Sequence, residues 1–198
     1  MSRRIFVLGL IWVASHQAFG QEWFSGAIYL RNDVALRGTI SIKPEYDVVL
    51  FKIGEGEETT LYPAHKIEFL EINDPVEKAT RKFASLHIGV GPKSFYQFYE
   101  VVVDGPVSIF RRQHTMWYSI HLDTIDYDYY ILFEDQLYGY SRFKRKIYPH
   151  LSAKVSAVGK YVKDKNLNLS RLTDITQVIQ FYNLELGSSV PVASNQDR

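Results

Sequence analysis

The stretch that decides the fold is Phe95-Tyr-Gln-Phe-Tyr-Glu-Val-Val-Val103, followed by Asp104-Gly105 and by Pro106-Val-Ser-Ile-Phe110. It predicts a β-hairpin, because Asp-Gly is a favoured two-residue turn that tolerates positive φ angles. The first strand has bulky side chains on both faces: Phe95, Tyr99, Val101 and Val103 on one, and Tyr96, Phe98 and Val102 on the other. A strand with this pattern is usually covered on both sides.

The chain beyond this hairpin changes from strands to helices. Residues 127–133 and 137–143 predict a second hairpin around Asp135-Gln136. Apolar residues then recur with a helical period at two places, which predicts two amphipathic helices. Their apolar positions are Val155, Val158, Tyr161 and Val162 in one, and Leu172, Ile175, Val178, Ile179 and Tyr182 in the other. Ser152 and Ser170 are the predicted N-caps. We expect these helices, and a shorter one around residues 145–150, to cover an open face of the second sheet.

The region before the hairpin is predicted to be a set of short strands. In Leu36-Arg-Gly-Thr-Ile-Ser-Ile-Lys43 apolar and polar residues alternate with period two, which is typical of a half-buried strand. Further strands are predicted at residues 26–30, 48–53, 59–62 and 67–72, separated by turn residues. Five such strands in about 50 residues suggest a small curled sheet or barrel.

The charge distribution divides the chain into two units. Residues 22–77 contain five basic and eleven acidic residues, whereas residues 78–198 contain sixteen basic and eleven acidic ones. Asn73-Asp-Pro-Val-Glu-Lys-Ala79 is the predicted connector, since a proline follows a polar turn. We therefore predict an α+β, mainly β protein. Its parts are a signal peptide at 1–20, a barrel-like unit at 21–75, a hairpin unit with C-terminal helices at 76–187, and a flexible tail at 188–198.

The N-terminus has the pattern of a secretory signal. Arg3 and Arg4 precede an apolar run at residues 5–14, and Ala18-Phe19-Gly20 places small residues where a signal peptidase cleaves. A first core strand or helix is the alternative. The apolar run is too short to span a bilayer, and no later stretch is long enough. We predict cleavage after Gly20 and a location in the periplasm or outside the cell.

The absence of cysteine excludes several classes of site. A lipoprotein anchor needs a cysteine thiol, and disulfides, zinc–thiolate sites, iron–sulfur clusters and thiol nucleophiles need it as well. The exported chain is therefore expected to rely on its own hydrophobic core, with no lipid anchor.

Several segments together resemble a group of exported β-rich proteins of unknown function that are common in Bacteroidota. In the first unit they are Gly26-x-Ile-x-Leu-x-Asn32, Leu36-Arg-Gly-x-Ile40, Tyr62-Pro63 and Ile67-Glu-Phe69. In the second they are Val103-Asp-Gly-Pro-Val-Ser-Ile-Phe-Arg-Arg112, Tyr161-Val-Lys-x-Lys-Asn-Leu-Asn168 and Asp174-Ile-x-Gln-Val-Ile-x-Phe-Tyr-Asn183. The resemblance implies export and this architecture, but it implies no substrate and no functional residue.

No motif in the sequence is typical of a catalytic or cofactor site. Histidines at positions 65, 87, 114, 121 and 150 lack metal-binding spacing. Asp123-Thr-Ile-Asp-Tyr-Asp128 lacks the glycine and the later acidic ligand of a calcium loop, so a solvated loop is the preferred interpretation. There is no Gly-x-Ser-x-Gly elbow and no nucleotide-binding glycine loop. We predict no catalytic, cofactor-binding or metal-binding residue, and no cofactor.

The densest basic region is Arg142-Phe-Lys-Arg-Lys146, continued by Lys154, Lys160, Lys163 and Lys165. Nucleic acid is not the expected partner, because the chain is predicted to be exported. A solvated helix face is one interpretation. The other interpretations are contact with acidic lipid headgroups, with an acidic polysaccharide or with the chain's own acidic first unit.

Three functional hypotheses follow. The first is a non-enzymatic interaction or binding protein of the cell envelope, whose partner is another envelope protein or an acidic surface. The second is a binder of a glycan, lipid or peptide that uses aromatic side chains of the second sheet. The third is a hydrolase whose carboxylates meet only in three dimensions.

Overall fold

A computed structural model describes residues 22–54, 56–89, 91–113 and 127–188. The strands are β1 Phe24–Leu30, β2 Ala35–Lys43, β3 Val48–Lys52, β4 Thr60–Pro63, β5 Ile67–Asp74, β6 Ala79–Ile88, β7 Phe95–Val103, β8 Ser108–Gln113, β9 Tyr127–Phe133 and β10 Gln136–Gly139. The α-helices are α1 Tyr148–Lys154, α2 Ser156–Asp164 and α3 Leu172–Ser188. Short 3-10 turns lie at Ala64–Lys66, Gly91–Lys93 and Tyr140–Arg142, and a π-helical turn at Phe143–Ile147.

The ten strands form one antiparallel sheet in the order β10-β9-β8-β7-β6-β5-β1-β2-β3-β4. Strands β2 to β4 extend outwards on one side of β1, and β5 returns to pair with the other side of β1. From β5 the chain continues outwards to β10. The prediction of a mainly β protein with C-terminal helices is confirmed. The five-stranded barrel-like unit is not confirmed, because its strands belong to this larger sheet, which is not closed as a barrel.

The first half of the sheet encloses its own hydrophobic core. Strand β2 buries Ile40 and leaves Arg37 exposed, as its period-two pattern predicts. The pattern fails at Ser41, which is predicted on the polar face but is only 1% exposed. The fully buried members are Ile28, Ile40, Val49, Ile67 and Leu70, with Phe51, Ala64, Ile72 and Phe98 beside them. Phe98 comes from β7, so the second half of the chain contributes to the first core. The domain boundary near residue 75 stays a prediction.

The segment predicted as a connector is a tight turn between β5 and β6. The Asp74 carboxylate accepts the backbone N–H groups of Val76 (2.9 Å) and Glu77 (3.1 Å), and Lys78 has a φ of 51°. Strand β6 was not predicted. Its apolar alternation is interrupted by Arg81, which is opposite Ile72 of β5.

The three helices cover β8 and β9, as expected from their apolar stripes. Their core includes Phe143, Ile147, Leu151, Val158, Ile175 and Ile179, all fully buried, with Ile109 and Ile131 from the strands. The second predicted hairpin is present, but its turn is Glu134-Asp135, one residue before the predicted position, since Gln136 pairs with Phe133. Strand β10 ends at Gly139, where the chain turns into the helical region. Ser152 lies inside α1 and is not the N-cap of α2, which follows Val155 without a side-chain cap. In the parts of the chain that the structure describes, no helix combines the length and the hydrophobicity of a membrane span.

Candidate functional site

Strands β7 and β8 separate on the N-terminal side of Glu100. The site lies where they separate. The two strands pair from Glu100 to Val103, whereas the backbone of Phe98 has no strand partner on that side. The Asp47 carboxylate accepts the N–H of Phe98 (2.9 Å), and Arg112 Nη1 donates to its carbonyl (2.9 Å). Side chains therefore satisfy backbone groups that pairing would otherwise satisfy.

Asp47 and Arg112 also hold the first half of the chain against the second. Arg112 donates to both carboxylate oxygens of Asp47, at 2.7 and 3.2 Å, and to the carbonyl of Pro44 at 2.8 Å. Both side chains are at least four-fifths buried. The turn between β2 and β3 is therefore fixed against β7 and β8.

A cleft of about 330 Å³ opens next to this contact, and we call it the ionic cleft. It lies between the first residues of the described chain, the end of β2, the start of β6, the middle of β7 and the end of β8. Strands β5 and β9 contribute Ile72 and Tyr127. Its apolar lining residues are Phe24, Ile42, Pro44, Ile72, Phe83, Phe98 and Tyr127, and its charged ones are Glu22, Lys43, Arg81, Glu100, Arg111 and Arg112. The volume is in the range of small-ligand sites.

Glu100 is the centre of the ionic cleft and is only 7% exposed. Its Oε1 accepts hydrogen bonds from Arg81 Nε (3.0 Å) and Arg111 Nη2 (2.8 Å). Its Oε2 accepts hydrogen bonds from Arg81 Nη2 (2.9 Å) and Arg111 Nε (2.8 Å). Each arginine thus makes a bidentate contact, which is the strongest geometry for this pair. Strand pairing brings the three side chains together. Glu100 is opposite Arg111 of β8, and it is also opposite Phe83 of β6, which lies two residues after Arg81.

Asp74 completes the network from the end of β5. Arg81 Nη1 donates to Asp74 Oδ2 at 3.0 Å, so Arg81 joins the two carboxylates. The Glu77 N–H and the Arg81 guanidinium lower the pKa of Asp74. Burial by itself would raise the pKa of Glu100, but the hydrogen bonds from Arg111 and Arg81 outweigh it and the pKa is lowered. Both carboxyl groups are therefore ionised at neutral pH.

Aromatic rings lie over the cationic groups of the network. The guanidinium carbon of Arg111 is 4.4 Å from the centre of the Tyr127 ring, and that of Arg81 is 5.2 Å from Phe83. Arg112 lies 5.7 Å from Tyr99, and burial raises the pKa of Tyr99 to about 12. Cation–π contacts of this kind restrict the guanidinium orientation. The walls of the cleft and its charged floor are thus one connected structure.

The arrangement suits binding better than proton transfer. A glycosidase acid needs a raised pKa so that it is protonated near neutral pH, and its partner carboxylate must be free to act. Here the pKa values of Asp74 and Glu100 are lowered, and both groups are engaged by arginines.

The residues singled out in the sequence lie elsewhere. Among the described histidines, His65, His87 and His150 are exposed, whereas residues 114 and 121 lie outside the described part. Of the acidic triplet, Asp128 is exposed on β9 and residues 123 and 126 lie outside the described part. Within the described ranges, no three His, Asp or Glu side chains form a group that could hold a metal ion.

The basic residues of the helical region form a second feature, which we call the basic helical surface. It consists of Arg142, Lys144, Arg145, Lys146, Lys154, Lys160, Lys163 and Lys165, all exposed. The larger apolar residues of the same segment are buried or half-buried in the helix core, so the segment has a core face and a cationic outer face. No described residue forms an ion pair with any of the eight.

Sequence analysis did not identify the ionic cleft. One signal was present: Glu100 lies in the middle of an otherwise apolar and aromatic strand, and Arg111 and Arg112 follow across the hairpin. No family model, curated protein or solved structure matches the chain. The resemblance to exported proteins of Bacteroidota stays a prediction.

Proposed function

We propose that the chain is an exported, non-enzymatic binding protein of the cell envelope, and that the ionic cleft is its ligand-binding site. The observation that carries this proposal is the geometry around Glu100. A buried carboxylate held by two bidentate arginines gives the cleft a rigid floor, and aromatic side chains form part of its walls. Binding sites of this size combine apolar walls with a few fixed polar groups.

The lining indicates the class of ligand. Phe24, Phe83 and Tyr127 offer ring surfaces, while Lys43 at the end of β2 adds a cation that no described group pairs. A sugar or a short peptide has both an apolar face and polar edges, so it suits this lining. Of the glycan, lipid and peptide ligands predicted from the sequence, the cleft favours glycans and peptides.

The test blocks the mouth of the cleft without altering the ionic network. Gln113 is an exposed lining residue at the end of β8, so Gln113→Trp adds an indole ring there. The matched control is Gln177→Trp, which changes an exposed glutamine of α3 that does not line the cleft. The mature protein and both variants are screened on arrays of glycans and of short peptides.

We expect a ligand that the mature protein and Gln177→Trp bind equally and that Gln113→Trp binds at least tenfold more weakly. Circular dichroism and thermal unfolding confirm that both variants fold. Equal binding by the two variants would place the ligand outside the cleft and contradict the proposal.

A further inference from the structure

We propose that the basic helical surface docks the protein on a membrane whose headgroups carry anionic phosphate. This surface is separate from the ionic cleft and does not depend on its ligand. It contains eight cationic residues between positions 142 and 165, with Asp164 as the single acidic residue in that stretch. Polybasic segments of this density are attracted to anionic lipid surfaces.

The exposure of the cations supports docking rather than an internal role. The buried residues Phe143, Ile147, Leu151 and Val158 turn inwards into the core formed with β8 and β9. The basic side chains of the same turns are therefore left on the outer side. None of them is neutralised by an ion pair within the described residues, whereas Arg81, Arg111 and Arg112 are all paired. The charge is available to an external anionic surface.

The composition of the surface favours lipid over a protein partner. Six of its eight cations are lysines, and lysine is depleted in protein–protein interfaces, which instead have an apolar core with aromatic residues and arginine. Lysine suits a surface of mobile phosphates because it acts as a flexible point charge. Tyr140, which is 37% exposed, precedes the first basic residue, Arg142, by two positions. Tyrosine rings are enriched at the level of lipid headgroups.

The test measures co-sedimentation of the mature chain with lipid vesicles. One set contains phosphatidylcholine alone, and the other contains phosphatidylcholine with phosphatidylglycerol. The test variant is Lys144→Glu/Arg145→Glu/Lys146→Glu. The control is Arg37→Glu/Lys66→Glu/Lys93→Glu, which changes one arginine and two lysines that are also exposed but lie elsewhere. The two variants have the same net charge, so they separate a local surface effect from a general one.

We expect binding to the phosphatidylglycerol vesicles that weakens with rising salt, because exposed charges are screened. The test variant should bind at least tenfold more weakly, and the control should stay within about threefold of the unaltered chain. Lack of binding to phosphatidylglycerol vesicles, or equal loss in both variants, would overturn the proposal. Binding of a soluble acidic polysaccharide or of one stoichiometric protein partner, without vesicle binding, would assign the surface to that partner and overturn it as well.

Discussion

Replacing Glu100 with glutamine tests whether the ionic network stabilises the fold. The substitution keeps the shape of the side chain but removes the charge that balances Arg81 and Arg111. Removing one partner of a buried ion pair typically costs about 3–5 kcal/mol, because the other charge stays in place without compensation. Here the arginine side chains are 24% and 30% exposed, so water compensates part of the loss. We therefore expect a decrease of about 3 kcal/mol in the free energy of unfolding, at the lower end of that range.

The assay is reversible urea unfolding of residues 21–198 at neutral pH, followed by tryptophan fluorescence and circular dichroism. A loss of this size corresponds to a decrease in Tm of roughly 6–12 °C for a chain of this length. The control is Glu68→Gln, since Glu68 is an exposed residue of β5 with no ion pair among the described residues. It should change the free energy of unfolding by no more than about 0.5 kcal/mol.

The pH dependence separates the loss of charge from a packing defect. Because folding lowers the pKa of Glu100, its stabilising contribution is complete above the ordinary pKa of 4.5 and is lost as the pH falls through the folded-state value. The difference between the unaltered chain and Glu100→Gln should therefore shrink on acidification below pH 4.5. A difference that is below 1 kcal/mol at neutral pH, or that stays constant into acid, would refute the reasoning.

Two further changes test the contacts that position the cleft. Asp47→Ala removes the partner of Arg112 and of a backbone N–H in β7, so urea unfolding should show a decrease of about 1–3 kcal/mol in the free energy of unfolding. A double-mutant cycle with Arg112→Met should be non-additive. Gly105→Ala would place a Cβ 2.5 Å from Asn183 Nδ2 at a φ of 149°, so we expect a decrease of about 1–3 kcal/mol in the free energy of unfolding. The control is Gly139→Ala, whose Cβ meets no atom within 4 Å and which should leave the stability nearly unchanged. Equal stabilities in the glycine pair would contradict this account of the turn.

The strands and helices were largely predictable because their apolar periods reflect burial. The α3 helix buries Ile175, Val178, Ile179 and Tyr182 on one stripe, as its sequence predicts. In β2 the alternation holds only in part, because Ser41 is buried beside Ile40. Strand β6 was missed for a physical reason. Arg81 occupies an inward position that only a buried carboxylate makes acceptable, and that carboxylate comes from β7.

The pairing of Glu100 with Arg111 could not be predicted from the turn. A two-residue Asp104-Gly105 turn would place Glu100 opposite Ile109. In the structure the loop is wider and the register shifts between Val101 and Val103, so that Val103 is opposite Ile109 and Glu100 is opposite Arg111. A contact from α3, which is distant in the sequence, binds this wider loop.

That contact is made by one side chain. Asn183 of α3 accepts the N–H of Val107 at 3.1 Å and donates to its carbonyl at 2.8 Å. It thus substitutes for strand pairing in the loop, much as Asp47 and Arg112 do beside Phe98. Such long-range replacements of backbone hydrogen bonds have no local sequence signal, and the one made by Arg112 with Phe98 belongs to the lining of the cleft.

The most direct test of the central claim is native mass spectrometry of the protein purified without denaturation from its own cell envelope, alongside Gln113→Trp and Gln177→Trp. We predict a mature chain that begins at Gln21 and carries a stoichiometric small ligand in the unaltered protein and in Gln177→Trp, but not in Gln113→Trp. A chain that retains residues 1–20 in the cytoplasm, a ligand held equally by both variants, or no ligand in any sample would contradict the account.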